Sequence, residues 1–210
     1  MIENQRYLFD QKIRIENDVI LISGSDEVGR GAMAGPIVVA SAILKPEYNN
    51  PKIKDSKLLN EKQREELYEE IKANCVAYSI CEYDSKFVDD NNPKKTSQIG
   101  MIESIKKLKI KPDICLIDGE NIELEDYKCL QVIKGDNLSI TIGAASILAK
   151  VYRDRIMNNY HLEYPQYNFI NHKGYCTKDH QERVKQFGVL DIHRLSYKPI
   201  KFLKEKQNEL

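Results

Sequence analysis

The chain has 210 residues, 41% of them apolar and 30% charged, which suits one soluble globular domain with a single core. Lysine plus arginine and aspartate plus glutamate both number 32, so the net charge is zero. That excludes a protein coating nucleic acid by bulk positive charge and leaves room for a local basic groove beside an acidic site. No apolar run approaches the roughly eighteen residues that span a bilayer, and the N-terminus MIENQRYLFDQKIRIEND is too polar and acidic for a signal peptide. A cytoplasmic location without membrane contact is the expectation. Cys75, Cys81, Cys115, Cys129 and Cys176 show no CxxC spacing, which favours reduced thiols over zinc or disulfides.

In chain order, residues 1–17 read as a short extension, 18–199 as the domain and 200–210 as a polar tail or surface helix. Val19 to Ile22 is an apolar run ending in SGSDE and predicts a buried strand. Ile37 to Leu44, rich in β-branched residues, predicts a second, with GRGAMAGP as the turn of a hairpin. Asn60 followed by Gln63 resembles a capping box, and Leu67 and Ile71 recur at helical spacing. Val76 to Tyr83 alternates like a half-exposed strand, and Met101, Ile105 and Leu108 mark one helix face. Ile114 to Ile117 and Lys128 to Ile133 predict strands that stop at Asp118-Gly119 and Lys134-Gly135-Asp136. A long helix is expected from about Ile140 to Asn159, with Ala144, Leu148 and Val151 inward. A shorter one is expected from Lys178 to Phe187, capped by Thr177. Strand pairs followed by strand–helix alternation predict an α/β domain with a mixed sheet.

Three acidic sites share a pattern: SGSDEVG, LIDGE and IKGDN each place a carboxylate where an apolar run meets glycine. In open α/β sheets ligands gather at the carboxyl ends of strands, and adjacent strands lie about 5 Å apart. Asp26, Glu27, Asp118 and Asp136 can therefore converge. A cluster of that kind stays ionised only beside cations, and oxygen-only donors select Mg²⁺ or Mn²⁺ over zinc. Two such ions about 4 Å apart can activate water and stabilise the leaving oxygen of a phosphodiester. Taken singly, Asp-Gly after a strand is usually a turn. Asp113, Glu120, Glu123, Glu125 and Asp126 read as solvated surface acids.

These residues sit in segments that closely resemble the ribonuclease HII family. The segments are DEVGRGAMAGPIVVASAIL (Asp26 to Leu44), KDSKLL (Lys54 to Leu59), LIDG (Leu116 to Gly119), KGDNLSITIGAASILAKVYRDR (Lys134 to Arg155), YPQYNFINHKGYCTKDH (Tyr164 to His180) and HRLSYKP (His193 to Pro199). They occur in the family's order and spacing over roughly residues 18 to 199. The resemblance implies a ribonuclease H-like mixed sheet flanked by helices, with further helices at the C-terminal end. It implies an endoribonuclease that hydrolyses RNA in RNA–DNA hybrids and cuts 5′ of single ribonucleotides embedded in duplex DNA, leaving 3′-hydroxyl and 5′-phosphate ends. Such an enzyme would remove misincorporated ribonucleotides from DNA.

The same resemblance makes Asp26, Glu27 and Asp118 metal ligands and Asp136 the fourth catalytic carboxylate, with two Mg²⁺ or Mn²⁺ ions and water as the nucleophile. Gly29, Arg30 and Gly31 match the loop that hydrogen-bonds the ribose 2′-hydroxyl, the group that separates RNA from DNA. Tyr175 matches the tyrosine that stacks on the sugar at the RNA–DNA junction. Lys54, Ser56 and Lys57 are candidate phosphate contacts, and Lys150 and Arg153 candidates for a basic groove. His172, His180 and His193 are expected to satisfy hydrogen bonds rather than act in the site. A monomer with no obligatory protein partner is expected. The related ribonuclease HIII carries lysine in place of the loop arginine, so Arg30 favours HII. Glu163, Asn168 and Cys176 stand where the family often has glycine, which questions loop shape more than chemistry. Rival readings are another ribonuclease H-like nuclease, such as a resolvase or DNA exonuclease, and a non-catalytic hybrid-binding protein.

Overall fold

The computed structural model describes residues 4–53 and 59–208. Lys54, Ser56 and Lys57 lie outside the described residues. The second apolar run forms β2 (Ile37–Leu44), and its neighbour β1 (Ile22–Val28) shares only Ile22 with the expected strand Val19 to Ile22, since residues 19–21 lie outside any strand. The loop 29–36 between them is too short for a parallel crossover, so they pair as a hairpin. β2 is buried along its whole length, the mark of a strand covered on both faces. β3 (Cys75–Tyr83) alternates between buried and more exposed positions and lies at one edge. β4 (Ile114–Asp118) and β5 (Cys129–Val132) extend the other side in the order β3-β2-β1-β4-β5. β1 runs parallel to β4, and β4 to β5, so the sheet is mixed.

Helices connect and cover these strands. The segment 1–17, expected as an extension, contains helix α1 (Gln5–Asn17). Phe9 and Ile13 of α1 pack on Ile22, Ile114, Leu116, Val132 and Ile142. α2 (Glu61–Asn74) begins with the capping box that its sequence signals. The Gln63 amide donates to Asn60 Oδ1 at 2.9 Å, and the Asn60 amide to Gln63 Oε1 at 3.0 Å. α3 (Ser85–Asn91) and α4 (Pro93–Lys106) precede β4, and Met101 and Ile105 of α4 are buried. Leu108 is buried as well, just beyond the helix end. A single turn, α5 (Gly135–Leu138), leads into α6 (Ile140–Glu163), which runs past the expected end at Asn159.

The start of α6 is anchored from far away in sequence. Asp10 of α1 is fully buried and accepts from the Thr141 amide at 3.0 Å and from its hydroxyl at 2.6 Å. A carboxylate on the open amides of a helix start satisfies donors that have no partner inside the helix. Burial nevertheless pushes the Asp10 carboxyl above its ordinary range.

The described residues fall into two compact units. One takes those within Met1–Val28, Val39–Cys81 and Gln98–Val151; the other takes those within Gly29–Val38, Glu82–Ser97 and Tyr152–Leu210. The first holds the α1 and β-strand core just described. The second has its own core, with Met33, Met157, Tyr167, Phe169, Val184 and Ile200 at its centre. It is built from a 3₁₀ turn (Pro165–Tyr167), α7 (Phe169–His172), α8 (Lys178–Phe187) and α9 (Lys198–Asn208). Thr177 caps α8 as its sequence signals, accepting the His180 amide at 3.2 Å. No described helix is long and apolar enough to cross a membrane.

Candidate active site

Asp26 and Glu27 lie inside β1 rather than beyond its end, because the strand continues through SGSDE to Val28. Small residues allow this. A Cβ on Gly24 would stand 2.4 Å from the Ile142 amide nitrogen, so glycine is what lets the first turn of α6 lie against β1. One turn further along α6, the Ser146 side chain hydrogen-bonds Asp26. Ser25 pairs with Ile117 across the parallel ladder, so Asp26 and Asp118 come next on the two strands. That spacing is about 5 Å.

The consequence is electrostatic. Asp26 is only 7% exposed. Its carboxyl is held well above the usual carboxylate range, first by burial and then by the negative charges of Glu27 and Asp118. Ser146 and the Glu27 amide, which donates to Asp26 Oδ1 at 2.7 Å, oppose the shift without cancelling it.

Asp118 connects this pair to the fourth carboxylate. Its Oδ1 accepts the Gly135 amide at 2.6 Å, and Asp136 is the next residue, in the first turn of α5 and 8% exposed. Asn137 Nδ2 donates to Asp136 Oδ1 at 3.0 Å. Lys134 supplies the left-handed turn before α5, with φ at 56°. A Cβ on Gly135 would meet the end of the Ile142 side chain at 2.4 Å and Asp118 Oδ1 at 3.2 Å, so glycine leaves room for the contact to Asp118.

Asp26, Glu27 and Asp118 are thus within electrostatic reach of one another, and Asp136 is joined to Asp118 through one amide. Among the described residues, no three carboxylate, imidazole or thiol groups form a ready-made metal cage. The donor chemistry still fits a hard divalent cation. All four groups are oxygen donors, and an ionised carboxylate can accept at about four lone-pair positions, so a single backbone amide orients the group without saturating it. A buried aspartate between two anions is also the group whose ionisation a cation most favours. Glu120 departs from its expected surface role. It is 7% exposed and accepts from Gln98 Nε2 at 3.1 Å, because the turn at Gly119 brings the chain back on itself.

Gly29, Arg30, Gly31, Arg153 and Tyr175 lie in the second unit, and Lys150 lies in the first. Gly29 has φ at 92°, and a Cβ there would collide with the Arg153 side chain and the Pro36 carbonyl. Gly31 differs: it is exposed, and a Cβ would meet nothing within 4 Å. The backbone of Ala32 bridges to half-buried Tyr175, and that of Ala34 to His193. Arg153, a candidate for a basic groove, is instead fully buried. Its guanidinium donates to the carbonyls of Pro36, Lys173 and Ala34 at 2.8, 2.9 and 3.1 Å and stands 5.3 Å from the Tyr175 ring centroid. Burial pushes its pKa down to about 10. Arg194, which the sequence did not single out, is also fully buried. It holds the Gly35 carbonyl at 2.8 Å, the Arg30 carbonyl at 3.2 Å and the Tyr197 hydroxyl at 2.9 Å. Two buried cations therefore brace the 29–36 loop through its carbonyls, while Lys150 is only partly buried. Ser146 and Asp10 also escaped sequence reading. A serine in the apolar run GAASILA is a weak signal, and a carboxylate in a polar N-terminal stretch is none.

A family model described as ribonuclease HII matches residues 23–200. The chain belongs to the ribonuclease HII family. It is 55% identical over 197 residues to the ribonuclease HII of Mycoplasma mycoides subsp. mycoides SC, covering 93% of this chain and 95% of that protein. Its fold matches the ribonuclease H2 from Pyrococcus horikoshii OT3 with a TM-score of 0.79 at 23% identity, covering 90% of this chain and 100% of that one. It also matches Bst-RNase HIII in complex with Mn²⁺, with a TM-score of 0.69 at 19% identity, covering 91% of this chain and 71% of that one. The mixed sheet with flanking helices is therefore ribonuclease H-like, as the sequence resemblance implied. As a family member, the protein is an endonuclease of the ribonuclease H class, and its substrate is the RNA–DNA hybrid.

Proposed function

We propose that the protein hydrolyses the RNA strand of hybrids and also cuts 5′ of single ribonucleotides in duplex DNA, leaving 3′-hydroxyl and 5′-phosphate ends. The observation that carries the reading is Asp26, held above its ordinary pKa first by burial and then by the negative charges of Glu27 and Asp118. A fold gains nothing in stability from such repulsion, so its use lies in binding cations. Asp26, Glu27, Asp118 and Asp136 would hold two divalent ions, Mg²⁺ or Mn²⁺. Bst-RNase HIII, similar in fold, was solved with Mn²⁺. Bound there, the ions supply a nucleophilic water and stabilise the leaving 3′ oxygen.

The chain's own groups do the rest. Ser146 and the Glu27 amide orient Asp26, and the Gly135 amide orients Asp118. Gly29, Arg30 and Gly31 present backbone groups to the ribose 2′-hydroxyl. Open space around Gly31 supports this, because the fold itself makes no demand for glycine there. Tyr175 stacks on the sugar at the junction. The enzyme acts in the cytoplasm as a monomer and removes ribonucleotides misincorporated into DNA.

The test is cleavage of three labelled duplexes in Mg²⁺ and in Mn²⁺: a continuous hybrid, a DNA duplex with one ribonucleotide and an all-DNA duplex. Cuts 5′ of the ribonucleotide with 3′-hydroxyl ends are expected, and the all-DNA duplex should stay intact. Efficient cutting of that duplex would overturn the reading, as would tight hybrid binding in EDTA with no cleavage in either metal.

A further inference from the structure

Three histidines cluster in the second unit, one pair joined by a hydrogen bond and another stacked, and the cleavage chemistry does not use them. His172, His180 and His193 are 7%, 0% and 1% exposed. The rings of His172 and His180 stack with centroids 4.1 Å apart and planes 13° from parallel, and Phe169 meets both edge-on.

The hydrogen bonds fix where each proton sits. His193 Nδ1 lies 2.9 Å from the Leu190 amide nitrogen and 3.3 Å from the Leu190 carbonyl oxygen; in the shorter contact the amide donates, which leaves a neutral His193 its proton on Nε2. His193 Nε2 lies 3.2 Å from His180 Nε2. One must donate and the other accept, so His180 accepts there and carries its proton on Nδ1. That proton faces the Tyr175 carbonyl at 3.0 Å. His172 has the opposite tautomer: its Nδ1 accepts the Gly174 amide at 3.2 Å, and its Nε2 donates to the Tyr167 carbonyl at 2.8 Å. The chain of donors therefore runs from the Leu190 amide through His193 and His180 to the backbone of Tyr175.

We propose that His180 and His193 are positioning residues for Tyr175, forming a tautomer-locked pair that sets the backbone from which this side chain reaches the RNA–DNA junction. The proposal rests on the junction role given to Tyr175 above. The lock requires neutral rings. A second proton on His180 would point at the Nε2–H of His193, and one on His193 Nδ1 would displace the shorter of its two contacts, the bond from the Leu190 amide. The surroundings agree: burial, then the neighbouring imidazoles, push His180 down to about 3, and burial first pushes His193 down to about 4. The charged and titratable groups facing the cluster are Asp179 and Arg183 of α8, His161 of α6, and Asp84, Lys86, Asp89 and Asp191 around the adjoining cavity. Of these, Asp179 is 3.9 Å from His172 Nε2.

Position 180 allows a test in which packing and hydrogen bonding rank two variants in opposite order. Phenylalanine keeps the ring volume and loses the imidazole donor to the Tyr175 carbonyl, which retains the Thr177 amide at 2.9 Å. Asparagine loses volume, but its amide nitrogen stands near the place of Nδ1. The readout is kcat/KM on the single-ribonucleotide duplex divided by kcat/KM on the continuous hybrid. His180→Phe should lower this ratio about fivefold, the worth of one neutral hydrogen bond, and His180→Asn should recover most of it. In a Tyr175→Ala background, His180→Phe should change the ratio no further. A ratio for Phe equal to or above that for Asn, or additive effects with Tyr175→Ala, overturns the proposal. If Tyr175→Ala alone leaves junction cleavage unchanged, the junction role of Tyr175 fails and this inference falls with it. The unmodified protein gives a check that needs no variant: long-range ¹H–¹⁵N spectra should show His180 protonated on Nδ1 and His193 on Nε2. The reverse tautomers would refute the lock.

Discussion

Each of the two units buries ionisable side chains, and they do so on opposite terms. In the first, Asp26, Glu27 and Asp118 are like charges whose repulsion is only partly offset by Ser146 and one backbone amide. In the second, Arg153 and Arg194 are matched to backbone carbonyls, and the imidazoles are neutral with their protons assigned. The first group keeps a repulsion that raises the Asp26 carboxyl. The other is satisfied internally and works as scaffold. The difference teaches that burial of charge does not by itself mark an active site; residual electrostatic conflict is the more informative sign.

The comparison can be broken most severely at Asp118. Asp118→Asn should lower turnover in Mg²⁺ by at least about a hundredfold with little change in melting temperature, because it removes a charged ligand and keeps the shape. Near-normal turnover would remove the basis for the metal site. Next in size is Arg153→Met, which strips donors from three buried carbonyls and should destabilise the fold by about 3 kcal/mol or more in urea unfolding. A loss below about 0.5 kcal/mol would mean that Arg153 is not the brace described. Gly24→Ala should destabilise by roughly 1–3 kcal/mol through collision with the backbone of Ile142. An unchanged unfolding midpoint would contradict that close approach.

The smallest effect is the most specific. Asp26→Asn should abolish cleavage yet stabilise the metal-free fold at neutral pH by roughly 0.5–2 kcal/mol, since it removes the conflict. The sign follows from linkage. Because the folded pKa of Asp26 is raised, its favourable contribution is present at low pH and is lost as pH rises through that value. The advantage of the variant should therefore shrink on acidification. The histidines act the other way. With folded pKa values of about 3 and about 4 for His180 and His193, their contribution is full above about 6.5 and declines as pH falls below it. Urea unfolding in EDTA at pH 8 and pH 5 separates the two. A gain for Asp26→Asn that grows at pH 5 would reverse the assignment.

Much of the frame was legible in the sequence because its signals are local. β2, the Asn60 capping box and the Thr177 cap each depend on residues within a few positions of one another. The four carboxylates were legible as acids beside glycine, and the ordered motifs supplied the roles proposed for them. What escaped depends on distant partners. Nothing near Glu120 announces Gln98, and the charge of Arg153 gives no hint that it serves the carbonyls of a loop over a hundred residues away. Asp26 and Glu27 were expected just past a strand end but lie within β1, because the allowance made by Gly24 is visible only once α6 is in place.

The tie between Asp10 and Thr141 joins residues 131 positions apart. At ribosomal rates of roughly 5–20 residues per second, α1 leaves the ribosome on the order of ten seconds before the helix start that its carboxylate will anchor. During that interval Asp10 has Arg14 of its own helix but not Thr141, and α6, which carries Ser146 to Asp26, has not been made. The order of synthesis thus places the fixing of Asp26 after about two thirds of the chain has been made.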